Sequence, residues 1–284
     1  MTAAAAAERK PALDGRRLLI GLLLGAVGLG SVANSWTFTI LVLLVASGCV
    51  YEFAGLSARK GPMLELPVAL AAVWAYIVLA QIGLIHRYEG ILLALTVIVA
   101  LGVATFTAES GYFARSGFTL LGVLYIGKLL TYFIAIRQLP DGIVLTAWLI
   151  VMVAFTDIFA MVVGTRIGRT PLTRLSPKKT VEGAAGGFIA ATLAGAAIVF
   201  VASVHLSWWQ GALAGAITSL AAQAGDLVES ALKRDASVKD AGSLMPGHGG
   251  VLDRFDSYLF GGIAFYFALY VIGVIPHARL GFPP

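Results

Sequence analysis

Apolar runs of about 20 residues recur along the whole of this chain, and a run of that length is what an α-helix needs to cross a bilayer. No other feature narrows the fold so far. In hydrocarbon every backbone N–H and C=O must find a partner within the protein, so repeated runs dictate helices packed side by side. Composition agrees. Of 284 residues 59% are hydrophobic and only 12% are charged, too few to cover a soluble domain of this length. The expected fold class is all-α, a polytopic membrane protein with about nine transmembrane helices. They are expected at roughly 18–33, 36–54, 66–84, 88–108, 116–136, 141–164, 181–204, 207–228 and 252–275.

Basic residues flank these runs unevenly. Counting alternate sides, Arg9, Lys10, Arg16, Arg17, Arg59, Lys60, Arg115, Arg166, Arg169, Arg174, Lys178, Lys179, Lys233, Arg234, Lys239 and Arg254 fall on one side. Only Arg87, Arg137 and Arg279 fall on the other, and Lys128 lies within a run. Cytoplasmic loops carry the excess of Lys and Arg, so the N-terminus is expected in the cytoplasm and the C-terminus outside. The net charge of +5 is then a property of cytoplasmic loops, and no nucleic-acid partner is expected. Arg16 and Arg17 before an apolar core, with Ser31, Val32 and Ala33 behind it, also fit a cleavable signal peptide, which would change the parity. Cys49, the single cysteine, cannot form an intrachain disulfide.

The chain divides into a cytoplasmic leader at 1–17, N-terminal transmembrane helices at 18–140 and a C-terminal transmembrane catalytic region at 141–284. The first five runs are nearly pure hydrocarbon apart from Glu52 and Lys128. Glu52 reads as interfacial; Lys128 reads as either snorkelling or pairing with an acid elsewhere. Past residue 150 polar residues enter the runs. Gly183, Gly187, Ala191 and Gly195 recur every fourth residue, as do Gly211, Gly215 and Ser219. That spacing lets helix backbones approach closely.

An ionisable group in hydrocarbon costs about 2.5–3.5 kcal/mol on insertion scales, so it faces a cavity or a partner. Asp157 falls roughly 10 Å inside the cytoplasmic end of the sixth run. Asp226 and Glu229 end the eighth run on that side, and Asp253 and Asp256 open the ninth there. Five acids thus converge on the face that carries the basic loops. Asp226 and Glu229 share a helix face at i, i+3, as do Asp253 and Asp256. Two such pairs beside the glycine turn at 247–250 can hold a hard divalent cation, magnesium being one that binds a few carboxylates plus phosphate oxygens. The same acids also fit blander roles: Asp253 and Asp256 as helix caps, Asp226 and Glu229 as partners of Lys233 or Arg234. His248 in the turn can donate to a phosphate or transfer a proton, and equally can be a solvated loop histidine. A second cluster, SPKKTVEGAAGG at 176–187, sets Lys178 and Lys179 before a helix start, which suits an anion or the head groups of anionic lipids.

The segments SALKR, KD and PGHGGVLDRFD, spread over residues 230–256, closely resemble the signature of the phosphatidate cytidylyltransferases, the CDP-diacylglycerol synthase family. Met245 stands where the pattern generally has Leu, Ile or Phe, an apolar exchange. Upstream, TDIFAMVVG at 156–164 and LSPKKTVEG at 175–183 also look like that family, whereas the first five runs match only as generic apolar helices. The resemblance implies transfer of a cytidylyl group from CTP to phosphatidic acid, giving CDP-diacylglycerol and pyrophosphate. It implies Mg2+ on Asp226, Asp253 and Asp256, with a monovalent cation such as K+ and a homodimer as further features. The matched polar positions give Asp226, Asp253, Asp256, Lys239, Asp240 and His248 as catalytic candidates. Ser176, Lys178, Lys179, Glu182, Lys233, Arg234, Arg254 and Asp157 are the substrate-binding candidates. The expected location is the plasma (inner) membrane, with the active site facing the cytoplasm, where CTP is. Two other readings remain open: a CTP-dependent kinase of a polyprenol or other lipid alcohol, and an ion-coupled transporter. A transporter would place its acids near mid-membrane and show repeat symmetry.

Overall fold

A computed structural model describes residues 25–107, 110–200, 206–245 and 249–275. The leader at 1–17, the first part of the first expected span and His248 lie outside the described residues. Among the described residues there is no strand, only isolated bridges between Pro171 and Thr180 and between Met245 and Gly249.

Residues 25–31 are helical. Beyond them run α1 (Ser35–Lys60), α2 (Leu66–Gln81), α3 (Ile85–Thr107) and α4 (Tyr112–Gly122). A π-helical turn, Val123–Lys128, leads from α4 into α5 (Leu129–Arg137), and α6 (Gly142–Ile167), α7 (Val181–Ala196), α8 (Trp208–Asp235) and α9 (Leu252–Val271) follow. Each expected apolar segment from 36 onward therefore contains a helix. Four helical stretches are long and apolar enough to cross a membrane: Ser35–Lys60, Ile85–Thr107, Tyr112–Arg137 and Gly142–Ile167. At 16 residues each, α2 and α7 are shorter.

Local chemistry explains several boundaries. Asn34 caps α1, its side chain accepting from the N–H groups of Trp36 (2.9 Å) and Thr37 (3.2 Å). Thr180 caps α7 by accepting from Gly183 N–H at 3.1 Å. Helix α8 runs two turns past the expected end at 228, because Ala231, Leu232, Lys233 and Arg234 are good helix formers and Glu229 pairs with Lys233 one turn on. The fifth segment departs from a plain α-helix. Its π turn brings Gly127 against Val73 of α2, where a Cβ would lie 2.9 Å from the valine Cγ2.

The small-residue stripes do what their spacing predicts. A Cβ at Gly187 would sit 2.5 Å from the carbonyl oxygen of Thr156 in α6, and one at Gly183 2.6 Å from that of Ala160. On the other flank Gly195 meets Gly211 backbone to backbone and Gly215 meets Ala191. Helix α7 is thereby wedged between α6 and α8. Thr156 hydroxyl donates to Ser219 Oγ at 3.0 Å across that wedge, in a fully buried spot. Helix α9 packs on α8 just as closely, with Gly225 under the carbonyl of Asp256. The N-terminal helices gather around α2, and α1 and α5 reach α9.

Lys128 pairs with Glu89 of α3 and lies 5.2 Å from the centre of the Tyr132 ring. Pairing, rather than snorkelling alone, accounts for this lysine. Glu52 is not interfacial. It is 3% exposed and packed against the loop before α9.

Candidate functional site

A cavity of about 670 Å³ opens between α6, α7, α8 and the first turn of α9, bounded by the loop that joins α6 to α7. Its polar lining comes from Asp157, Ser176, Lys178, Lys179, Gln223, Asp226, Asp253, Arg254, Asp256 and Ser257. Ala160, Met161 and Leu172 supply an apolar side. Ser176 and Lys178 also border a second cavity of about 590 Å³, which adds Arg174, Arg234 and Lys239.

Helix spacing builds the acidic wall. Asp226 and Glu229 share a face of α8, and Asp256 lies one turn into α9, where Gly225 lets the two helices touch. Carboxylate oxygens of Asp226, Glu229 and Asp256 all lie within 4.8 Å of one another, Glu229 and Asp256 being buried. Asp256 accepts from Ser257 N–H at 2.7 Å, and Ser257 hydroxyl donates to Asp157 at 3.2 Å. Hard oxygen donors this close suit a divalent cation such as magnesium.

The set differs by one member from the Asp226, Asp253 and Asp256 expected from the resemblance. Asp253 lines the same cavity, but its carboxylate is turned to the loop, where it accepts from Ala241 N–H (2.9 Å) and Gly250 N–H (2.8 Å) and meets Lys233 at 2.6 Å. These bonds go to loop N–H groups and to Lys233 and not to the first N–H groups of α9, so Asp253 does not cap the helix, whereas Glu229 does make the pair with Lys233 considered for it. Glu229, which also meets Lys233, is the third member of the close carboxylate cluster. Lys233 bridges it (2.5 Å) to Asp253, so this lysine faces two acids and lines neither cavity. Burial alone would lower the Lys233 pKa, but hydrogen bonds and charge from Asp253 and Glu229 outweigh it and hold the ammonium above its usual range.

Lys179 pairs with Asp226 across the cavity. The loop that carries Lys178 and Lys179 is folded back on itself: Leu172 N–H donates to Lys179 C=O at 2.7 Å and Val181 N–H to Thr170 C=O at 2.9 Å. Glu182 holds this loop and is absent from the lining of both cavities. Its carboxylate accepts from Arg169 N–H (3.0 Å), Thr170 N–H (3.2 Å) and Thr170 hydroxyl (3.0 Å). Arg234 donates to Val238 C=O at 3.2 Å at the edge of the second cavity. Asp240 is exposed and borders neither cavity. Gln223 and Ser257 join the lining without having been singled out in the sequence. Gln223 lies one turn before Asp226 on the same face and Ser257 directly follows Asp256, so helical periodicity was the available signal.

Comparison with known proteins points one way. The model of the cytidylyltransferase family matches residues 15–272. A phosphatidate cytidylyltransferase of Bacillus subtilis (strain 168) is 36% identical, across 89% of this chain and 97% of that protein. Phosphatidate cytidylyltransferase 4, chloroplastic, of Arabidopsis thaliana is 32% identical across 91% of this chain and 74% of its own. A phosphatidate cytidylyltransferase of Helicobacter pylori (strain J99) reaches 43% over 47% of this chain and 50% of that one.

Proposed function

The chain belongs to the cytidylyltransferase family, and from that premise we propose that it transfers the cytidylyl group of CTP to phosphatidic acid, releasing pyrophosphate and leaving CDP-diacylglycerol. The observation that carries this reading is one cavity that sets acids and lysines against an apolar wall. Two anions must meet there, one dissolved in water and one held in a membrane.

A phosphatidate oxygen attacks the α-phosphorus of CTP, the bond to the β-phosphate oxygen breaks, and pyrophosphate departs. The nucleophile is already ionised near neutral pH, so the protein need not supply a strong base. Its task is to position two polyanions and offset their charge. Lys178, with Arg234 and Lys239 across the second cavity, is placed to hold phosphates. Arg254 lines the first cavity beside the acids. Ala160, Met161 and Leu172 offer acyl chains an apolar flank.

Asp226 and Asp256, common to the expected set and to the observed cluster, would hold a magnesium ion, with Glu229 beside them. Such an ion, when bound, neutralises charge on the phosphates and on the departing pyrophosphate. Lys179, now on Asp226, is then available to a phosphate. A monovalent cation and a homodimeric assembly belong to the same proposal.

The proposed arrangement in the bilayer has nine spans, the N-terminus in the cytoplasm and the cavity facing the cytoplasm from the plasma membrane. The uneven distribution of Lys and Arg supports this orientation. The deciding experiment follows label from α-labelled CTP in the presence of phosphatidic acid and magnesium. Label in lipid that requires both is the expected result. Label that reaches lipid only from γ-labelled CTP, and then onto a lipid alcohol, would overturn the proposal in favour of a kinase.

A further inference from the structure

Helix α9 begins inside the protein, at Leu252, which is fully buried. The first N–H groups of a helix have no partner within it, and a buried one cannot turn to water. The residue in the N-cap position, Val251, has no side chain able to accept. The missing acceptor comes from the other end of the sequence: Glu52 of α1 accepts from Leu252 N–H at 2.8 Å. Its other oxygen, Oε1, is buried without a hydrogen-bond partner among the described residues.

That carboxylate is also wedged against the loop. A Cβ at either Gly242 or Gly250 would collide with it. One turn earlier on α1, Gly48 receives Val251, where a Cβ would lie 3.0 Å from the valine Cγ2. At the cytoplasmic end of the same helix, Lys60 pairs with Asp235, the last residue of α8, at 2.9 Å. Helix α1 therefore braces both ends of the loop at 236–251, the loop that carries Lys239 and Asp240.

A buried carboxylate is costly unless it is hydrogen-bonded, and packing alone would be served by an apolar side chain. At the start of a helix the negative charge is favourable to the exposed N–H groups. Asp253 and Asp256 stand in the first turns of that helix, so whatever fixes Leu252 fixes both. We propose that Glu52 is a positioning residue for the reaction: it holds the α8–α9 loop and the first turn of α9 so that Asp253 meets Lys233 and Asp256 faces Asp226. The inference rests on the reading of the cavity as the cytidylyltransferase site.

The experiment compares kcat and KM for CTP of the full-length protein with those of Glu52→Ala, Glu52→Gln, Gly242→Ala and the double variant Glu52→Ala/Gly242→Ala, each normalised to folded protein. A misplacement of about 1 Å at reacting groups can cost on the order of 100-fold. Glu52→Ala is expected to lower kcat by about 10- to 100-fold with KM changed less than about threefold. Glu52→Gln keeps an acceptor for Leu252 N–H and is expected to regain about tenfold of that loss. Gly242→Ala pushes a methyl into the carboxylate and is expected to lower kcat likewise. In the double variant the three atoms nearest that methyl are gone, so its loss should not exceed that of Glu52→Ala alone. Were Glu52→Ala not to fold, Gly242→Ala carries the test, since it must lower kcat while Glu52→Gln stays closer to wild type. A kcat within twofold of wild type in Glu52→Ala, equal losses in the Ala and Gln variants, or additive losses in the double variant would overturn the proposal. An inactive wild-type protein would instead overturn the functional reading on which it rests.

Discussion

Replacing Lys233 by methionine removes the cation that stands between Glu229 and Asp253 at 2.5 and 2.6 Å. Methionine keeps most of the side chain's length, so the change is mainly electrostatic. The two acids do not lose equally. Asp253 retains the N–H groups of Ala241 and Gly250. Glu229, fully buried, has no hydrogen bond besides this ion pair among the described residues, and the cost falls on it. Removing one partner of a buried pair destabilises by about 3–5 kcal/mol. Lys233→Met is therefore expected to unfold at markedly lower temperature in detergent, followed by tryptophan fluorescence. Lys233→Met/Glu229→Gln should recover most of the loss, because an amide carries no charge. The pH dependence has a defined sign. The folded-state pKa of Lys233 is raised, so its contribution is complete below the unfolded value of about 10.4 and is lost only as pH rises through the higher folded value. The gap between wild type and Lys233→Met should close as pH rises above about 10. Unfolding curves that superimpose for wild type and Lys233→Met, or a double variant no more stable than the single one, would refute the reasoning.

Asp226→Asn and Asp256→Asn should each lower turnover by about 100-fold or more, the equivalent of a few kcal/mol of lost charge stabilisation, while detergent-phase gel filtration remains that of wild type. Chelation with EDTA should abolish activity and added magnesium restore it. Glu182→Ala should leave the fold intact but release the 168–180 loop, read as faster tryptic cleavage at Arg169 and Arg174 and a higher KM for CTP. Gly211→Val should prevent α7 and α8 from closing at Gly195, and a loss of monodisperse protein on gel filtration checks it.

How much of this was legible in the sequence depends on which kind of distance was needed. Apolar length and Lys/Arg bias are one-dimensional properties, so helices and their ends could be read directly, to within a turn or two. The four-residue spacing of Gly183, Gly187, Ala191 and Gly195 announced a close contact but not with which helices; the structure divides that stripe between α6 and α8. Helical period put Asp226 and Glu229 on one face and Asp256 near them, and this much of the acidic cluster is legible in the sequence alone. Which carboxylate completes it did not follow. Asp253 and Asp256 share a face at i, i+3, yet the loop N–H groups and Lys233 draw Asp253 away, and that competition exists only once the chain has folded back. Likewise Glu182 sits in a motif beside two lysines, but its oxygens are spent on the backbone of residues 169 and 170.

Glu52 shows the limit most plainly. Two hundred residues separate it from Leu252 in sequence, and nothing in its own neighbourhood names a partner. The sequence by itself determined that this chain is a set of apolar helices with its charge drawn to one end, because hydrocarbon leaves a helix no alternative. The tertiary structure decided which ammonium meets which carboxylate and which buried N–H borrows its acceptor, because those depend on crossing angle and depth between helices far apart in the chain.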